Sequence, residues 1–585
     1  MDLEKVTKNP PEAPCNLNIE NFRKHLKNKP DGHEDLQFIL EGVPLYAELD
    51  DDTIKLCQKV ANWCKDLRHA EMLLKKFCKE AKAGIVQPVD TKPTYIINLF
   101  CGPKKDDKDV WSGLRLIRNG SYAIEGTLSL NDTIPPEKSS MKVPHIPDYV
   151  KQFWAKKWGA MRDLKDAFRQ MMLKISERHL CGYSVFGFWF VDTRAPYGVA
   201  PMAAHCQRFA ETIIWIYNQK LPLDQRDCTS VHVDDFALAA RTKEECIEME
   251  KILDATFKEL GVKVSSHKDV PATQRVRCHG VFFDLDFADN PGEQQTVEIP
   301  DTKYTQFIDF LTKAIEYRLI TVKAAESLCG KIMHYSLMKP VLKVMCWAMV
   351  HFLYDFCKNH KREPNKILIL PLRIVRALQF VKSMGEYMKT ATFNEILRIT
   401  PTTITASSDA CDHSGAFYMA GHWCIYDYIK EHKNWQINVK EGHAVVMLLK
   451  RFGPSLTGQK LLLYVDNQVV VASYAKKWAK SQKVMAVIFE ICKLLIKYRM
   501  IMYMEWVASS TNVIADKLSR RDVNGCREIC EEMNVPMDEK PTKCAYVKNF
   551  ESSSFLDKGS DDKEVKRLVK WLMTDPRQRT GKWWC

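Results

Sequence analysis

The chain has 585 residues, a formal net charge of +13 and 46% hydrophobic residues, an ordinary share for a globular protein. At about 100–200 residues per domain, this length predicts several domains, and the distributed positive charge favours an extended polyanion as partner over a membrane patch. No apolar run reaches about 18 residues and no signal-peptide pattern opens the chain, so we predict an intracellular protein of the cytoplasm, the nucleus or both. The 20 cysteines form no compact disulfide framework, which fits a reducing compartment.

The N-terminal region is polar before it becomes helical. Residues 1–35 are polar and contain prolines, and we predict a flexible leader there, within a leader region of residues 1–50. From about residue 50 to 83 apolar side chains recur at helical spacing, which predicts a helix that ends near Gly84. The apolar positions are Leu56, Val60, Trp63, Leu67, Leu73 and Phe77.

A basic turn follows in the next β-rich stretch. The run from Tyr95 leads into Pro103-Lys104-Lys105-Asp106, and Arg115 lies in a second run. A basic hairpin tip of this kind can hold a triphosphate, because Lys supplies a point charge and Arg a bidentate fork. A solvated charged turn is the alternative interpretation.

The first isolated acid of interest is Asp163, which ends a short strand-like segment. Phe168 follows where the chain turns toward a helix. An Asp at this point could also serve only as a helix N-cap. Downstream, a Pro/Gly loop that contains Tyr197 and Gly198 precedes a long predicted helix.

The most informative stretch is 231–238, in which two adjacent acids, Asp234 and Asp235, lie among β-branched and aromatic residues. This composition predicts a strand, a tight turn that carries the acids, and a second strand. Like charges so close together repel and lose hydration on burial, and a divalent cation such as Mg²⁺ removes both costs. A solvated turn is the alternative.

Beyond the acid pair, the pattern predicts a helix over 242–260 and then strands that end at Lys268 and cover 277–284. Taken in order, residues 84–284 resemble the fingers and palm of a retroelement reverse transcriptase. The motifs are a Pro-Lys-Lys-Asp turn, an Asp-Leu-Lys-Asp-Ala-Phe segment, a Pro-Tyr-Gly loop, a Val-Asp-Asp hairpin, a strand ending in Lys268, and His-Gly-Val-Phe-Phe-Asp. His232, before the acid pair, replaces the Tyr or Phe more usual in this family.

The resemblance implies roles in DNA synthesis. Asp163 and Asp234 would bind two Mg²⁺ ions, with Asp235 beside them and the Leu164 carbonyl assisting. The residues implied in binding the incoming nucleotide are Lys104 and Arg115 at the triphosphate, Phe168 as the gate against a ribose 2′-hydroxyl, Tyr197 and Gly198 under the nucleotide, and Lys268 near the pyrophosphate.

The pattern from about 300 to 395 predicts mostly helix. Residues 321–331 resemble the thumb helix that follows the palm in these polymerases, and its basic side chains would contact phosphates in a salt-sensitive manner. For any single lysine here, a solvated helix face is the simpler interpretation.

A second set of acids lies in the last third of the chain. Asp409 and Asp466 each end a predicted strand, Glu441 opens a predicted helix, and Asp516 lies in another helix. Strand, strand, helix, strand and helix in this order would place four carboxylates at the carboxyl edge of one sheet. Each acid alone could be a helix cap or a strand-end turn, but four in this order favour a shared site.

Residues 403–522 resemble the ribonuclease H domain that follows reverse transcriptase in retroelements. The resemblance implies two metal ions that activate water to cleave the RNA strand of an RNA–DNA hybrid, held by Asp409, Glu441, Asp466 and Asp516. The family often carries a mobile histidine before the last acid, and none lies between Trp506 and Asp516.

The stretch after residue 522 carries weaker patterns. A short basic helix is predicted over 564–573, and the terminal tryptophans beside lysines could stack bases, although a docked helix is the simpler interpretation. Cys526, Cys530 and Cys544 could suggest zinc, but the spacing is poor and ordinary thiols are favoured.

We therefore expect an α+β multidomain chain, with a right-hand polymerase followed by an α/β ribonuclease H-like domain. The expected segments are a leader at 1–50, the N-terminal helix and fingers at 51–162, the palm with the remaining fingers at 163–299, the thumb and connection at 300–400, the ribonuclease H-like domain at 401–522, and a C-terminal tail at 523–585.

The expected function is DNA synthesis on RNA or DNA, coupled to cleavage of the RNA in RNA–DNA hybrids, in retrotransposon replication. Mg²⁺ would be the cofactor, with Mn²⁺ as a substitute and two ions per site. The partners would be an RNA template, a DNA primer, RNA–DNA hybrid and dNTPs, and no membrane. The motifs most resemble polymerases of tyrosine-recombinase (DIRS-class) retrotransposons, with gypsy-type and pararetroviral polymerases next. A domesticated, non-catalytic nucleic-acid-binding protein with the same fold is the alternative.

Overall fold

The computed structural model describes residues 16–49, 54, 67–105, 111–123, 128–359, 365–399 and 403–550. The chain divides into two compact units, Met1–Pro291 and Gly292–Cys585, and both combine helices and sheets. None of the helices in the described ranges has the length and apolar content that crossing a bilayer would require.

The first unit is built from short sheets with helices packed against them. Its strands are β1 (Val86–Val89), β2 (Asn98–Lys105), β3 (Trp111–Asn119), β4 (Trp158–Asp163), β5 (Gly182–Val185), β6 (Phe188–Asp192), β7 (Thr229–His232), β8 (Asp235–Ala240), β9 (Val270–Thr273), β10 (Arg275–Cys278) and β11 (Val281–Asp284). Its helices are α1 (Ile19–Leu26), α2 (Gly32–Glu41), α3 (Leu67–Lys82), α4 (Ile146–Phe153), α5 (Ala167–Gln170), α6 (Met202–Asn218) and α7 (Lys243–Leu260).

The largest sheet of this unit has the strand order β7-β8-β4-β9. Strand β8 is buried from Phe236 to Ala240 because α7 packs against it, which explains the apolar run after the acid pair. Strands β4 and β8 are antiparallel, and their register sets Asp163 opposite Asp235. The turn between β7 and β8 carries Asp234, so the sheet brings three acids to one end.

The other strands of this unit form the sheet β1-β6-β5, the hairpin β2–β3 and the antiparallel pair β10–β11. In the β2–β3 hairpin, Lys104 lies opposite Gly113 and Gly102 lies opposite Arg115. The tip of the predicted basic turn, residues 106–110, lies outside the described residues.

The helix predicted from residue 50 is described from Leu67 onward, as α3, and its earlier positions Leu56, Val60 and Trp63 lie outside the described residues. Leu73 and Phe77 are buried in the core of the unit. Just beyond the helix, Gly84 has a left-handed φ of +67°, a conformation that favours glycine.

The prediction of a flexible leader over residues 1–35 is wrong for its described part, which contains α1 (Ile19–Leu26) and the start of α2 (Gly32–Glu41). Phe22 and Leu26 of α1 are buried in the core of the first unit. The backbone N–H of Asn18 donates to the Leu260 carbonyl at 2.8 Å, at the end of α7. The polar composition of this stretch did not predict the docking, because only a few apolar side chains make the contact.

Acidification should weaken the docking of this N-terminal segment through His205. His205 on α6 is buried, its Nε2 lies 2.8 Å from the Pro44 carbonyl oxygen, and burial lowers its pKa to about 4. The unfolded chain takes up a proton near pH 6.5, before the folded chain does, so stability is present above that pH and is lost as pH falls toward 4. We expect a loss of about 2 kcal/mol between about pH 7 and 5, measured by urea unfolding.

The matched variants are His205→Asn, which cannot be protonated, and His33→Asn, which changes an exposed histidine. The first should flatten the pH dependence of the free energy of unfolding, whereas the second should leave it as in the wild type. An unchanged pH dependence in His205→Asn would contradict this assignment.

The strand predicted to end at Lys268 is also wrong. Residues Ser266–Lys268 form a single 3-10 turn, and the pairing in this stretch is an isolated bridge between Leu164 and Val264. The strand β9 begins only afterwards. This turn brings Lys268 back toward the end of β4.

The second unit is helical in its first part and contains a larger sheet in its second part. Its helices, after the short helix α8 (Pro291–Gln294) at the boundary in the sequence, are α9 (Asp301–Tyr317), α10 (Val322–Tyr335), α11 (Cys346–Asn359), α12 (Leu372–Ser383), α13 (Gly385–Lys389), α14 (Phe393–Leu397), α15 (Ile437–Phe452), α16 (Gln468–Lys476), α17 (Gln482–Lys497), α18 (Val513–Ser519) and α19 (Val523–Glu532). Its strands are β12 (Thr296–Glu298), β13 (Leu319–Thr321), β14 (Ile367–Ile369), β15 (Thr390–Thr392), β16 (Thr403–Ala410), β17 (Ser414–Met419), β18 (His422–Asp427), β19 (Lys460–Val465) and β20 (Ile501–Trp506).

The large sheet has the order β18-β17-β16-β19-β20. Strands β16, β17 and β18 are antiparallel neighbours, whereas β19 runs parallel to both β16 and β20. Helices α15 and α18 pack against β16 and β17. Because β16 and β19 are parallel, the acids that follow their carboxyl ends lie at the same edge.

The described residues after 522, the predicted end of the ribonuclease H-like domain, pack along the five-stranded sheet. Cys526 and Cys530 of α19 are buried in one cluster with Trp423 of β18. The backbone N–H of Asp538 donates to the Gly421 carbonyl at 2.9 Å, so the chain runs on along the sheet. Of the predicted tail, residues 551–585, with the helix predicted over 564–573, lie outside the described residues.

Candidate active sites

The first acid cluster lies where β4 ends and the β7–β8 turn begins. Asp163 and Asp235 are cross-strand partners, and the Leu164 N–H donates to the Asp234 carbonyl at 3.0 Å. Val233, just before the acids, has a φ of +59°, which is unfavourable for a β-branched residue. The turn therefore holds a strained backbone at the point where the acids meet.

Burial and mutual repulsion disfavour the ionised forms of Asp234 and Asp235 in this cluster. Burial, followed by the charges of Asp234 and Asp163, raises the pKa of Asp235 to about 7, against the opposing effect of Lys268. Burial and the Asp163 charge also raise the pKa of Asp234. Such a group of hard oxygen donors suits a divalent cation, which would relieve the repulsion.

Lys268 lies at this cluster as a counter-charge. Its Nζ is 3.0 Å from Oδ1 and 2.8 Å from Oδ2 of Asp163. The sequence resemblance implies a place near the pyrophosphate for this lysine, but here it is bonded to a predicted metal ligand. A cation that bound both oxygens of Asp163 would have to displace it.

Two residues that support the acid turn carry no motif in the sequence. Gln207 of α6 accepts from the Val233 N–H through Oε1 at 2.7 Å and donates to the Val231 carbonyl at 3.1 Å, so it fixes the turn from both sides. The Cys206 thiol lies 3.8 Å from the Val233 carbonyl. In the sequence, the one sign of this role is that Gln207 stands where the buried side of a helix would ordinarily carry an apolar residue.

The predicted nucleotide-binding residues are brought together in part. The rings of Phe168 and Tyr197 are in contact, with centroids 4.7 Å apart. Gly198 has a φ of +92°, and a Cβ atom there would lie 2.0 Å from the Arg118 carbonyl oxygen, so only glycine fits. Arg115 is exposed on β3, and the described contacts do not join it to Phe168, Tyr197 or the acids.

The second acid cluster lies at the carboxyl edge of the five-stranded sheet. Asp409 is near the end of β16, Asp466 follows β19, and Glu441 projects from α15. Each of these three residues offers one carboxylate oxygen within 4.8 Å of the others. Within the described ranges, no other set of three or more His, Cys, Asp or Glu residues meets this spacing, and Cys526, Cys530 and Cys544 form no such group.

The electrostatics of this trio fit a bound cation. Burial, together with the charges of Asp466 and Asp516, raises the pKa of Asp409 to about 7, although a hydrogen bond from Ser519 and the charge of Arg520 act to lower it. Burial, followed by the charges of Asp409 and Asp466, raises the pKa of Glu441 well above its usual value. The Glu441 Oε2 atom is buried without a hydrogen-bond partner, which is costly unless a ligand completes it.

The fourth predicted acid, Asp516 on α18, is close to this trio but is not one of its members. Its charge acts on Asp409, while its own Oδ1 lies 2.9 Å from the guanidinium of Arg520, one turn later. The loop before α18 contacts the trio through another residue: the Ser509 hydroxyl donates to Asp466 Oδ2 at 2.7 Å. No sequence motif indicated Ser509.

Comparison with known proteins gives matches at the level of solved structures. No protein-family model matches the chain, and no curated protein matches it. The solved structures it resembles include foamy viral protease–reverse transcriptase in complex with double-stranded DNA in a dRH form (14% identity, TM-score 0.41, 86% of this chain and 85% of that chain). The same viral protein with double-stranded DNA gives 14% identity and a TM-score of 0.40 over 85% and 99% of the two chains.

A third foamy viral structure, the protease–reverse transcriptase with RNA/DNA hybrid, gives 13% identity and a TM-score of 0.42. The alignment covers 85% of this chain and 64% of that one.

Proposed function

We propose that the chain is a reverse transcriptase with ribonuclease H activity that serves retrotransposon replication, in the manner of DIRS-class elements. The observation that carries the proposal is the presence of two separate carboxylate clusters, one in each unit, each at one edge of a β sheet. The first consists of Asp163, Asp234 and Asp235, and the second of Asp409, Glu441 and Asp466.

In the proposed polymerase site, Asp163 and Asp234 would hold two Mg²⁺ ions with Asp235 and the Leu164 carbonyl. Such a pair supplies an activated primer 3′-hydroxyl and charge neutralisation at the pyrophosphate. Phe168 and Tyr197 would shape the nucleotide pocket by their ring contact. Once displaced from Asp163, Lys268 would be free to bind the triphosphate, with Lys104 and Arg115 as its proposed partners.

In the proposed nuclease site, the trio would hold the metal with Asp516 at its margin. The supporting observations are the buried Glu441 Oε2 atom, which lacks a hydrogen-bond partner, and the raised pKa values of Asp409 and Glu441. A bound cation supplies an activated water for hydrolysis of the RNA strand. The strand order β18-β17-β16-β19-β20 supports a ribonuclease H-like domain. The helices α9 to α12 lie within residues 300–400, the segment proposed as thumb and connection.

The test is primer extension by the purified full chain on poly(rA)/oligo(dT) with Mg²⁺, run beside cleavage of a labelled RNA–DNA hybrid. Both reactions should occur with Mg²⁺ and stop with EDTA. Salt-sensitive binding of the hybrid without either reaction would overturn the enzyme proposal and favour the domesticated binding protein.

The gate assignment makes a separate prediction. Phe168→Ala should raise the incorporation of ribonucleotides relative to deoxynucleotides by about tenfold or more, since removing bulk at a steric boundary changes discrimination by about 1–3 kcal/mol. The measurement is kcat/KM for dTTP and UTP on the same primer–template. Phe186→Ala, which removes a phenyl group that is 65% exposed on the β5–β6 hairpin, is the control.

An unchanged preference in Phe168→Ala, in a protein that still extends primers, would reject Phe168 as the gate. Equal loss of preference in Phe186→Ala would indicate a general disturbance of the β-rich region rather than a gate.

A further inference from the structure

A buried cluster of charged side chains lies in the first unit outside the acid site. Asp192 and Arg118 are almost completely buried, and Arg169 and Glu80 are joined to them by ion pairs. The Tyr183 hydroxyl also bonds to Asp192. Two arginines and two acids balance one another, since burial alone would raise the pKa of Glu80 but the two guanidinium groups lower it to about 2.

Arg169 connects four separate parts of the first unit. Its Nη1 donates to Asp192 Oδ1 at 2.9 Å and to the carbonyl oxygens of Arg194 and Ala195, both at 3.2 Å. Its Nη2 donates to Glu80 Oε2 at 2.9 Å. One guanidinium therefore ties α5 to α3, to the end of β6 and to the loop that follows β6.

These bonds fix both partners of the proposed nucleotide pocket. Phe168 directly precedes Arg169 on α5, and Tyr197 lies two residues after Ala195 in the loop. The two rings are in contact at 4.7 Å. Arg118, the second arginine of the cluster, provides the carbonyl oxygen against which Gly198 packs. The same buried network thus holds the gate residue and the pocket floor at a defined separation.

We propose that Arg169 is a positioning residue for nucleotide selection, which sets the separation of Phe168 and Tyr197 and thereby the affinity and sugar preference for the incoming nucleotide. This inference rests on the proposed polymerase function. Arg169 does not touch the nucleotide and acts through the two rings.

Stability alone gives a weak reason for this network. Replacing a buried ion pair with well-packed apolar side chains is often neutral or stabilising, because charged groups lose hydration on burial. A planar guanidinium does what an apolar side chain cannot do here: it donates to two carboxylates and two carbonyls in fixed directions. Directional bonds of this kind are suited to holding a loop against a helix within tenths of an ångström.

The experiment compares the full chain with Arg169→Lys and with the double variant Arg169→Met/Glu80→Gln. Lysine keeps the charge but cannot reach all four acceptors, and the double variant removes one charge of each sign, so Arg118 and Asp192 stay balanced. For both, KM for dTTP should rise and the preference for dTTP over UTP should fall, each by about tenfold, with kcat less affected than KM.

Arg208→Met is the matched control, since it breaks the ion pair of α6 with Asp35, and the described side-chain contacts of Arg208 do not include Phe168 or Tyr197. It should leave KM and sugar preference unchanged. Wild-type values in either Arg169 variant would overturn the proposal, as would the same change in Arg208→Met. Crystal structures give a readout independent of activity: the Phe168–Tyr197 centroid distance should differ from 4.7 Å in the Arg169 variants, and an unchanged distance would also overturn it.

The outcomes that would reject the polymerase function differ from those that would reject the positioning role of Arg169. Absence of primer extension by the wild type would reject the polymerase function, while the ring separation would still test the positioning role. Normal extension by the wild type with unaltered selection in the variants would reject only the positioning role.

Discussion

Replacing Asp234 and Asp235 together by asparagine is expected to reduce primer extension about a thousandfold. The loss of metal ligands removes roughly 4 kcal/mol or more of transition-state stabilisation, and each factor of ten corresponds to about 1.4 kcal/mol. The measurement is the single-turnover rate of dTTP addition on poly(rA)/oligo(dT) with saturating Mg²⁺. Hybrid cleavage, assigned to the second unit, should persist.

The same double variant should unfold at the same or a higher temperature than the wild type without metal. Asp234 repels Asp163 and Asp235 in the buried cluster, so neutral side chains of equal size relieve that repulsion. Asp224→Asn, which changes an exposed aspartate, is the matched control for the substitution. Undiminished extension by the double variant would remove the polymerase assignment of this cluster.

The reciprocal result is expected for the second cluster. Glu441→Gln should abolish cleavage of the RNA strand, by about a thousandfold or more, and leave DNA synthesis intact. The reason is that Glu441 contributes a buried oxygen with no partner of its own, so its charge is available to a cation. The measurement is the rate of cleavage of an end-labelled hybrid, followed beside primer extension on the same preparation.

Glu531→Gln, on the exposed part of α19, is the matched control and should retain both activities. Loss of synthesis as well as cleavage in Glu441→Gln would contradict separate sites. Normal cleavage by this variant would show that the trio is not the nuclease centre.

The acid clusters could be anticipated because each depends on a local pattern. Asp163, Asp409 and Asp466 all end or follow strands, and strand ends can be read from β-branched runs that stop at polar residues. Once neighbouring strands pair in the sheet, the pairing itself brings these strand ends together. The placement of Glu441 followed from the helix that it opens.

Other features depend on partners far away in the chain and leave no local pattern. Lys268 was expected at a strand end, but its 3-10 turn is set by the bridge to Leu164 about a hundred residues earlier. The docking of α1 depends on Phe22 and Leu26 filling a core made by α6 and α7. Arg169 resembles an ordinary helix-surface arginine until Glu80 and Asp192 are placed beside it.

The ion pair between Lys268 and Asp163 places a positive charge where the proposed polymerase site would hold Mg²⁺. Binding a divalent ion there is an exchange, and the free energy of the lysine contact is subtracted from the apparent affinity of the ion. At the second cluster, the ion pair within the described residues joins Arg520 to Asp516 at 2.9 Å, and Asp409, Glu441 and Asp466 form no ion pair there. If both proposed centres bind Mg²⁺, the one in the second unit should fill at the lower magnesium concentration, so that DNA synthesis and RNA cleavage would respond differently to the supply of free ion.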